Sequence, residues 1–302
     1  MSKIIYIILL AIASFLFSKF DLGNLFSDKA EAKNATTEIT NEAANDAANE
    51  DMAQPRTKDG SEVPYVDEGE TQLRLEDLAK GDFTDGLALR HKGYASCFSK
   101  KYNTPIWVGW ELTREEAYGT LSRKGYQFMP DPDVPYADRV TSHDYSGSGY
   151  DRGHMCPAGD MAWDHDAMSD CFYMTNICPQ VRVVNQKYWN YLEQSCRRWA
   201  KKYGAIYIVC GPIYDSPKPR RIGREHMVMV PDAFYKVIVC VEPGKERGIG
   251  FYYMNAEDHQ TMSTAACTID DIEAATGIDF FSELDDELEN KIEKECNLHS
   301  WH

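Results

Sequence analysis

Apolar and polar positions along the last two thirds of this 302-residue chain predict a mixture of strands and helices. Short apolar runs rich in β-branched and aromatic residues predict strands, and they lie at 106–112, 171–176, 205–210, 234–242 and 248–254. Apolar residues at helical spacing predict helices, which fall at 114–122, 184–202 and 270–275. Helices and strands do not alternate regularly, so the pattern predicts an α+β domain with a mixed or antiparallel sheet core.

The longest predicted helix is amphipathic. Its apolar side carries four large residues at helical spacing: Trp189, Leu192, Cys196 and Trp199. Asn185 and Glu193 are a little over two turns apart and therefore lie broadly on one side of the helix. An amide oxygen and a carboxylate on one side can bind a hard divalent cation and its waters. Because Asn also favours helix N-caps, a capping role is the alternative for Asn185.

A second informative segment lies upstream of this helix, at Asp151, Arg152, Gly153 and His154. Arginine is planar and permanently charged, which suits it to phosphate. Histidine can accept a proton near neutral pH, and glycine allows backbone conformations that other residues avoid. The combination indicates phosphate-ester chemistry. The structural alternative is a turn with an Arg–Asp pair and a polar histidine.

Together these segments resemble a known family, the DNA/RNA non-specific endonucleases with a ββα-metal motif, a group that includes endonuclease G. The matching residues follow the family's signature in order, identity and spacing: Asp151 to His154; Asn176, Pro179 and Gln180; and Asn185, Gln186, Trp189, Leu192 and Glu193. The resemblance extends over about residues 88–285. It implies a β-hairpin followed by a helix, with a metal between them.

The resemblance also implies roles for individual residues. The expected reaction is hydrolysis of phosphodiester bonds in DNA and RNA with one Mg²⁺, for which Mn²⁺ can substitute. His154 is expected to be the general base, and Asn185 the direct protein ligand of the metal. Glu193 is expected to hold metal-bound waters. Arg152 is expected to stabilise charge on the phosphate, and Asn176 to position the base or the metal waters.

Some assignments stay open at this point. Some members of the family use a further arginine upstream of the Asp-Arg-Gly-His block, and both Arg123 and Arg139 are candidates. Asp151 is expected to support the turn rather than to contact substrate. Two other function classes compete with the nuclease: a metal phosphodiesterase acting on small nucleotides, and a non-catalytic nucleic-acid-binding module. No paired Cys/His ligand set lies in the predicted domain, which argues against a structural zinc protein.

The distribution of charge changes this picture. The formal net charge is −16, which is unusual for a nucleic-acid enzyme. However, residues 28–78 and 270–302 carry a net charge of −9 each, whereas residues 79–269 carry +1. The near-neutral core is expected to bind nucleic acid through the metal and a local patch of Arg152, Arg182, Arg220, Arg221 and Arg224. A solvated loop is the alternative for the last three.

The flanks of the domain are predicted from composition. Residues 1–27 carry an apolar run after Lys3 and are predicted to be a signal peptide or an N-terminal anchor. This predicts an exported protein, periplasmic or extracellular, with a membrane tether if the segment is not cleaved. Residues 28–80 are predicted to be an acidic low-complexity linker, residues 81–285 the ββα-metal nuclease domain, and residues 286–302 an acidic tail.

Two further expectations concern partners. Relatives form dimers, so the resemblance implies a homodimer, although no interface can be read from the sequence. Cys296, His299 and His302 have a spacing that could hold a transition metal, but a solvated tail is the favoured interpretation.

Overall fold

The computed structural model describes residues 73–302. Its strands are β1 (Ala79–Lys80), β2 (Gly86–Arg90), β3 (Ala95–Ser99), β4 (Thr104–Thr113), β5 (Asp151–His154), β6 (Ile177–Gln180), β7 (Ala205–Ile213), β8 (Arg221–Ile222), β9 (Val228–Met229), β10 (Ala233–Cys240), β11 (Arg247–Met254), β12 (Ala266–Cys267) and β13 (Asp279–Phe280). Its α-helices are α1 (His165–Asp170), α2 (Asn190–Tyr203), α3 (Met262–Ala265), α4 (Ile269–Thr276) and α5 (Asp286–Ile292). A π-helical segment, Val184–Trp189, leads directly into α2.

A seven-stranded antiparallel sheet forms the centre, in the order β12-β11-β10-β7-β4-β3-β2. Successive side chains of a strand point to opposite faces. In β10, Phe234 and Ile238 therefore belong to the core on the α2 side, whereas Val237 and Val239 belong to the core beneath α4 and α5. The predicted α+β fold with an antiparallel sheet core is confirmed.

The ββα unit lies on the α2 side of this sheet. Strands β5 and β6 pair antiparallel, with His154 opposite Ile177 and Gly153 opposite Cys178. The chain then turns into the π-helical segment and α2, so the strand pair and the helix flank a common space. Gly153 is required by packing rather than by its backbone angles, because a Cβ atom there would collide with the side chain of Gln180.

Two predicted elements were wrong. The strand expected at 171–176 is a turn that follows α1 and leads into a 3₁₀ turn, Met174–Asn176, and the strand begins only at Ile177. The helix expected at 114–122 is reduced to a 3₁₀ turn, Glu116–Tyr118. Beyond that turn the chain pairs with another loop, because the Leu121 N–H donates to the Ala162 carbonyl at 2.9 Å. In both places tertiary contacts override local propensity. Strands β2 and β3 were not predicted at all.

The residues predicted as an acidic tail, 286–302, are structured, and their last part is not the solvated tail that we favoured for Cys296, His299 and His302. They form α5 and a 3₁₀ turn at Leu298–Trp301. The Trp301 side chain is only 1% exposed and its ring centroid lies 4.8 Å from that of Trp199. The Tyr203 hydroxyl donates to the Ser300 carbonyl at 2.9 Å. The buried side chains of Trp301 and Ile292, with hydrogen bonds to the backbone of the last residues, thus dock an otherwise acidic segment.

The domain also begins earlier than the boundary predicted at residue 81. Leu73 and Leu78 are buried, and β1 pairs with β13. The segment predicted as a signal peptide or anchor, 1–27, lies outside the described residues. Within residues 73–302, none of the helices is both long and apolar enough to span a bilayer.

Candidate active site

A cleft of about 390 Å³ opens between the end of β5 and the helix that follows β6. His154, Asn185 and Glu193 all line it, so three of the residues singled out from the sequence come together. Arg123 and Arg197 line the same cleft. Arg152 and Asn176 do not line it.

His154 packs against two phenylalanine rings. Its ring centroid is 5.2 Å from that of Phe128 and 5.0 Å from that of Phe172. The side chain is buried, and its Nε2 atom has no hydrogen-bond partner among residues 73–302. Burial, assisted by the positive charge of Arg123, lowers the pKa of His154 to about 3. The imidazole is therefore neutral at physiological pH and has a free nitrogen that can accept a proton.

Asn185 lies within the π-helical segment rather than at a helix cap. Its backbone N–H donates to the Val181 carbonyl at 3.0 Å, which excludes the capping alternative. Its side-chain Nδ2 donates to Asp151 Oδ2 at 3.0 Å, and Gln186 Nε2 donates to the same oxygen at 2.9 Å. A carboxylate only accepts hydrogen bonds, so Asp151 draws the amide nitrogen towards itself and leaves Asn185 Oδ1 available. Such π-helical segments are frequent at functional sites.

Glu193 lies two turns further along the same side of the helix. Its carboxylate accepts no hydrogen bond from the described residues, although the residue is half-buried. Burial raises the pKa of Glu193 to about 7, and the positive charge of Lys236 is the largest effect opposing that rise. Together with Asn185 Oδ1, the two carboxylate oxygens form a donor set made only of oxygen atoms, none of which accepts a hydrogen bond from the described residues. This set fits a hard divalent cation that keeps most of its waters.

The position of Asn176 does not suit its expected role with metal-bound waters. It is completely buried, and its Oδ1 accepts from the Cys156 N–H at 2.9 Å. Its Nδ2 donates to the carbonyls of Cys156 and Cys171, both at 2.8 Å. The amide is thus saturated by backbone groups and braces the segment that follows His154. Of the two roles expected for Asn176, the geometry agrees with positioning the base and leaves no atom for metal waters.

Arg152 is exposed and lies beside the cleft. Its guanidinium carbon is 4.8 Å from the centroid of the Phe128 ring, the same ring that contacts His154. Arg152 and His154 are two residues apart in β5 and therefore project to the same side of the strand. Its predicted contact with phosphate remains a prediction.

The structure separates the two candidates for the upstream arginine. Arg139 donates to the carbonyls of Val134 at 2.8 Å and Pro132 at 2.7 Å, so it braces its own loop. Arg123 is exposed at the cleft and lies 5.4 Å from the centroid of the Phe172 ring. Arg123 is therefore the arginine available to a ligand in the cleft.

Arg197 is the cleft residue that the sequence analysis missed. Its Nη1 forms an ion pair with the buried carboxylate of Asp160 at 2.6 Å. A Cβ atom on Gly159 would lie 2.8 Å from the same Nη1, so glycine leaves room for the guanidinium. One signal could have found it: Arg197 follows Glu193 by four residues, which places both on one side of a helix.

The other predicted basic residues have mixed surroundings. Arg182 lies 3.5 Å from Asp151 and is largely exposed. Arg220 packs over the Tyr150 ring at 5.1 Å, next to β5. Arg221, by contrast, donates to the carbonyl of Met227 at 2.9 Å and is occupied within its loop. The patch that can reach a polymer bound at the cleft is therefore smaller than predicted.

Two other groups of acids lie close enough together to share a cation: Asp270, Glu273 and Glu293, and Asp279, Glu289 and Glu293. They belong to α4, to α5 with its C-cap residue Glu293, and to β13, on the far side of the sheet. Neither group includes Cys296, His299 or His302. The alternative of a transition-metal site at the C-terminus is therefore not supported within residues 73–302.

Comparison with known proteins identifies the family of this chain. The family model described as DNA/RNA non-specific endonuclease matches residues 78–287. The chain belongs to this family. The family resemblance drawn from the sequence is thereby confirmed, and the matched region of the endonuclease family contains every residue of the cleft discussed above.

Individual members of the endonuclease family show the same relationship. The chain is 34% identical to the mitochondrial nuclease EXOG of Xenopus laevis over 66% of this chain and 59% of that protein. It is 35% identical to nuclease C1 of Cunninghamella echinulata var. echinulata over 65% and 83%. It is 32% identical to human mitochondrial endonuclease G over 63% and 67%. The match spans less than two thirds of the Xenopus protein.

A solved structure shares the fold. In the EndoG/EndoGI complex, described as a mechanism of EndoG inhibition, one chain matches with a TM-score of 0.62 at 29% identity. The match covers 67% of this chain and 89% of that one.

The names of the relatives correct one group of predictions. Several of them are mitochondrial nucleases, from frog, fission yeast, budding yeast and human. They contradict the expectation of a secretory signal peptide and of a periplasmic or extracellular, membrane-anchored protein. An apolar run after a basic residue is a feature of N-terminal targeting segments for more than one destination, so the pattern alone did not identify the compartment.

Proposed function

We propose that this protein is a metal-dependent endonuclease that hydrolyses phosphodiester bonds of DNA and RNA. One observation carries the proposal: a neutral, buried His154, whose Nε2 has no hydrogen-bond partner among residues 73–302, lines the same cleft as Asn185 and Glu193. A base next to a hard-cation donor set is the combination that metal-assisted attack of water on a phosphodiester requires.

His154 acts as the general base in this proposal. Its Nε2 accepts a proton from the water that attacks phosphorus. The pKa of His154 is about 3 in the cleft without substrate, and the negative charge of a bound phosphodiester raises that pKa. Phe128 and Phe172 hold the ring on one side, and the Trp189 indole N–H donates to the His154 carbonyl at 3.2 Å. The imidazole is thus oriented before substrate arrives.

Asn185 and Glu193 hold a divalent cation, with Mg²⁺ proposed as the physiological ion and Mn²⁺ as a substitute. Asn185 would contribute its Oδ1 as the direct ligand, and Glu193 would accept hydrogen bonds from waters that the ion retains. When bound, the ion supplies Lewis-acid stabilisation of charge at the scissile phosphate and the leaving oxygen. Asp151 fixes the amide of Asn185 through the contact described above.

The arginines bind the charged substrate. Arg123 and Arg197 line the cleft and offer charge-assisted hydrogen bonds to the phosphate that reacts. Arg152 lies outside the cleft lining and is proposed to contact the same or an adjacent phosphate. None of these contacts reads a base, which agrees with cleavage that does not depend on sequence.

The proposal is tested with the purified full-length chain on supercoiled plasmid and structured RNA, with Mg²⁺ or with EDTA. His154→Ala is compared with the wild type and with His143→Ala, a matched control at an exposed histidine. Metal-dependent cutting of both polymers that is lost only in the His154 variant supports the proposal. A folded wild type that cuts neither polymer, but hydrolyses a small chromogenic phosphodiester or only binds DNA, refutes it.

A further inference from the structure

A lysine lies in the core directly beneath the candidate active site. Lys236 is on β10, in the middle of the central sheet, and is only 1% exposed. It projects to the same face as Phe234 and Ile238, which is the face covered by α2. A buried ammonium group is costly unless other groups compensate for its lost hydration. The neighbours of Lys236 must therefore supply that compensation.

Two indole rings enclose the ammonium group. Lys236 Nζ lies 4.8 Å from the centroid of the Trp110 ring and 4.5 Å from that of the Trp189 ring. Both tryptophans are completely buried. A cation over two indole faces in a desolvated environment is strongly attracted to both. The lysine therefore constrains the position of both rings.

Each indole reaches a different part of the cleft. The Trp189 Nε1–H donates to the carbonyl oxygen of His154 at 3.2 Å. The Trp110 Nε1–H donates to Asp160 Oδ2 at 3.1 Å, and the other oxygen of Asp160 holds Arg197 at 2.6 Å. Lys236 is thus connected to the proposed base on one side and to a cleft arginine on the other.

The local charges agree with this arrangement. Asp160 and Glu193 are the acids that act on Lys236, and Arg197 neutralises one of them directly. The neighbouring thiols of Cys196 and Cys210 stay protonated, because burial raises the pKa of each to about 12. Two acidic groups and two cations therefore lie close together in this part of the core. A well-packed apolar residue often stabilises a core as well as a buried charge does, so stability alone does not account for a lysine here.

We infer that Lys236 is a positioning residue of the active site, whose ammonium group holds Trp110 and Trp189 in place and through them orients His154 and Arg197. This inference rests on the proposed nuclease function for its kinetic consequence. Its structural part, the ordering of the two indoles by the lysine, stands independently of that function.

The test compares Lys236→Met, which keeps the length of the side chain without its charge, with Lys236→Arg, which keeps the charge. Ile238→Val is the matched control, since it perturbs the same face of the same strand two residues away. For each variant we measure the melting temperature, the kinetic constants kcat and KM on DNA, and the ¹⁵N–¹H NMR signals of the indole groups. The kinetic constants are calculated per mole of folded protein.

For Lys236→Met, we expect a fall in kcat of about tenfold to a hundredfold, because small misplacement of catalytic groups costs rates of this order. KM should change by less than about twofold, and the indole signals of Trp110 and Trp189 should shift. Lys236→Arg should recover part of kcat. Ile238→Val should lower the melting temperature and leave kcat unchanged, as a purely structural effect would.

An unchanged kcat in folded Lys236→Met, or unmoved signals of both indoles, overturns the inference. If that variant does not fold, Trp189→Phe decides, because it keeps an aromatic face for the lysine but removes the donor to His154. A reduced kcat at unchanged KM supports the inference, and wild-type kcat overturns it. Absence of cutting by the wild type refutes the nuclease proposal, while the indole signals still report whether Lys236 orders the two rings.

Discussion

Asp151 offers the sharpest test of how the metal ligand is oriented. Its Oδ2 accepts hydrogen bonds from Asn185 at 3.0 Å and from Gln186 at 2.9 Å. An amide can face either way, and only one orientation presents Asn185 Oδ1 to a metal. Asp151→Asn replaces an acceptor by a group that both donates and accepts, so the preference for one orientation is lost while the shape is kept.

The size of the effect follows from these contacts. A hydrogen bond to a charged group contributes about 1.5–3 kcal/mol, roughly twice as much as a neutral one. The substitution therefore removes about 1–2 kcal/mol of bias towards the metal-binding orientation of Asn185. With the bias lost, the two orientations are about equally populated, so the metal-binding fraction falls to about one half and metal should bind roughly twofold more weakly.

The assay is a calorimetric titration with Mn²⁺ and Mg²⁺, followed by DNA cleavage rates as a function of metal concentration. Asp151→Asn should show a higher Kd for metal and a cleavage rate that recovers at high metal concentration. Asp166→Asn, the same change at an exposed acid of α1, should leave both quantities unchanged.

Two results would refute this reasoning. An unchanged metal isotherm in Asp151→Asn would show that the carboxylate does not orient the ligand. A loss of cleavage that no metal concentration restores, with normal metal binding, would instead place Asp151 in contact with the substrate. The second result would contradict both the turn-support role expected from the sequence and the orienting role.

Three further predictions follow from other contacts. The pKa of Glu193 is about 7 in the metal-free protein, so protons compete with metal below that pH. The affinity for metal should therefore fall from pH 8 to pH 6, by up to about tenfold per pH unit below 7. In Glu193→Gln the affinity for metal should not depend on pH over this range. Asn176→Ala removes three buried hydrogen bonds and should cost about 3 kcal/mol in the free energy of unfolding, measured with urea. An unchanged urea midpoint would disprove its bracing role. Trp301→Ala should cost about 3–5 kcal/mol and lower the melting temperature, whereas a solvated tail would leave it unchanged.

The sequence by itself determined the features that depend on local spacing. The positions of Asn185 and Glu193 on one helix are set by the helical repeat, and the structure places both on the cleft side. Alternating or continuous apolar runs located β7, β10 and β11 to within three residues at each end, because most residues of each strand are buried in the sheet. The endonuclease signature lies entirely within such short segments, so its recognition needed no tertiary information.

The tertiary structure alone decided which polar residues have free atoms. Arg123 and Arg139 cannot be told apart from the sequence. In the structure Arg123 lines the cleft, whereas Arg139 donates to two carbonyls of its own loop. Asn176, expected in the reaction, is saturated by backbone groups from two separate segments. Lys236 gains its surroundings from β4 and the π-helical segment, far apart in sequence. In each case the availability of an atom depends on partners brought in by long-range contacts, and no local pattern specifies those partners.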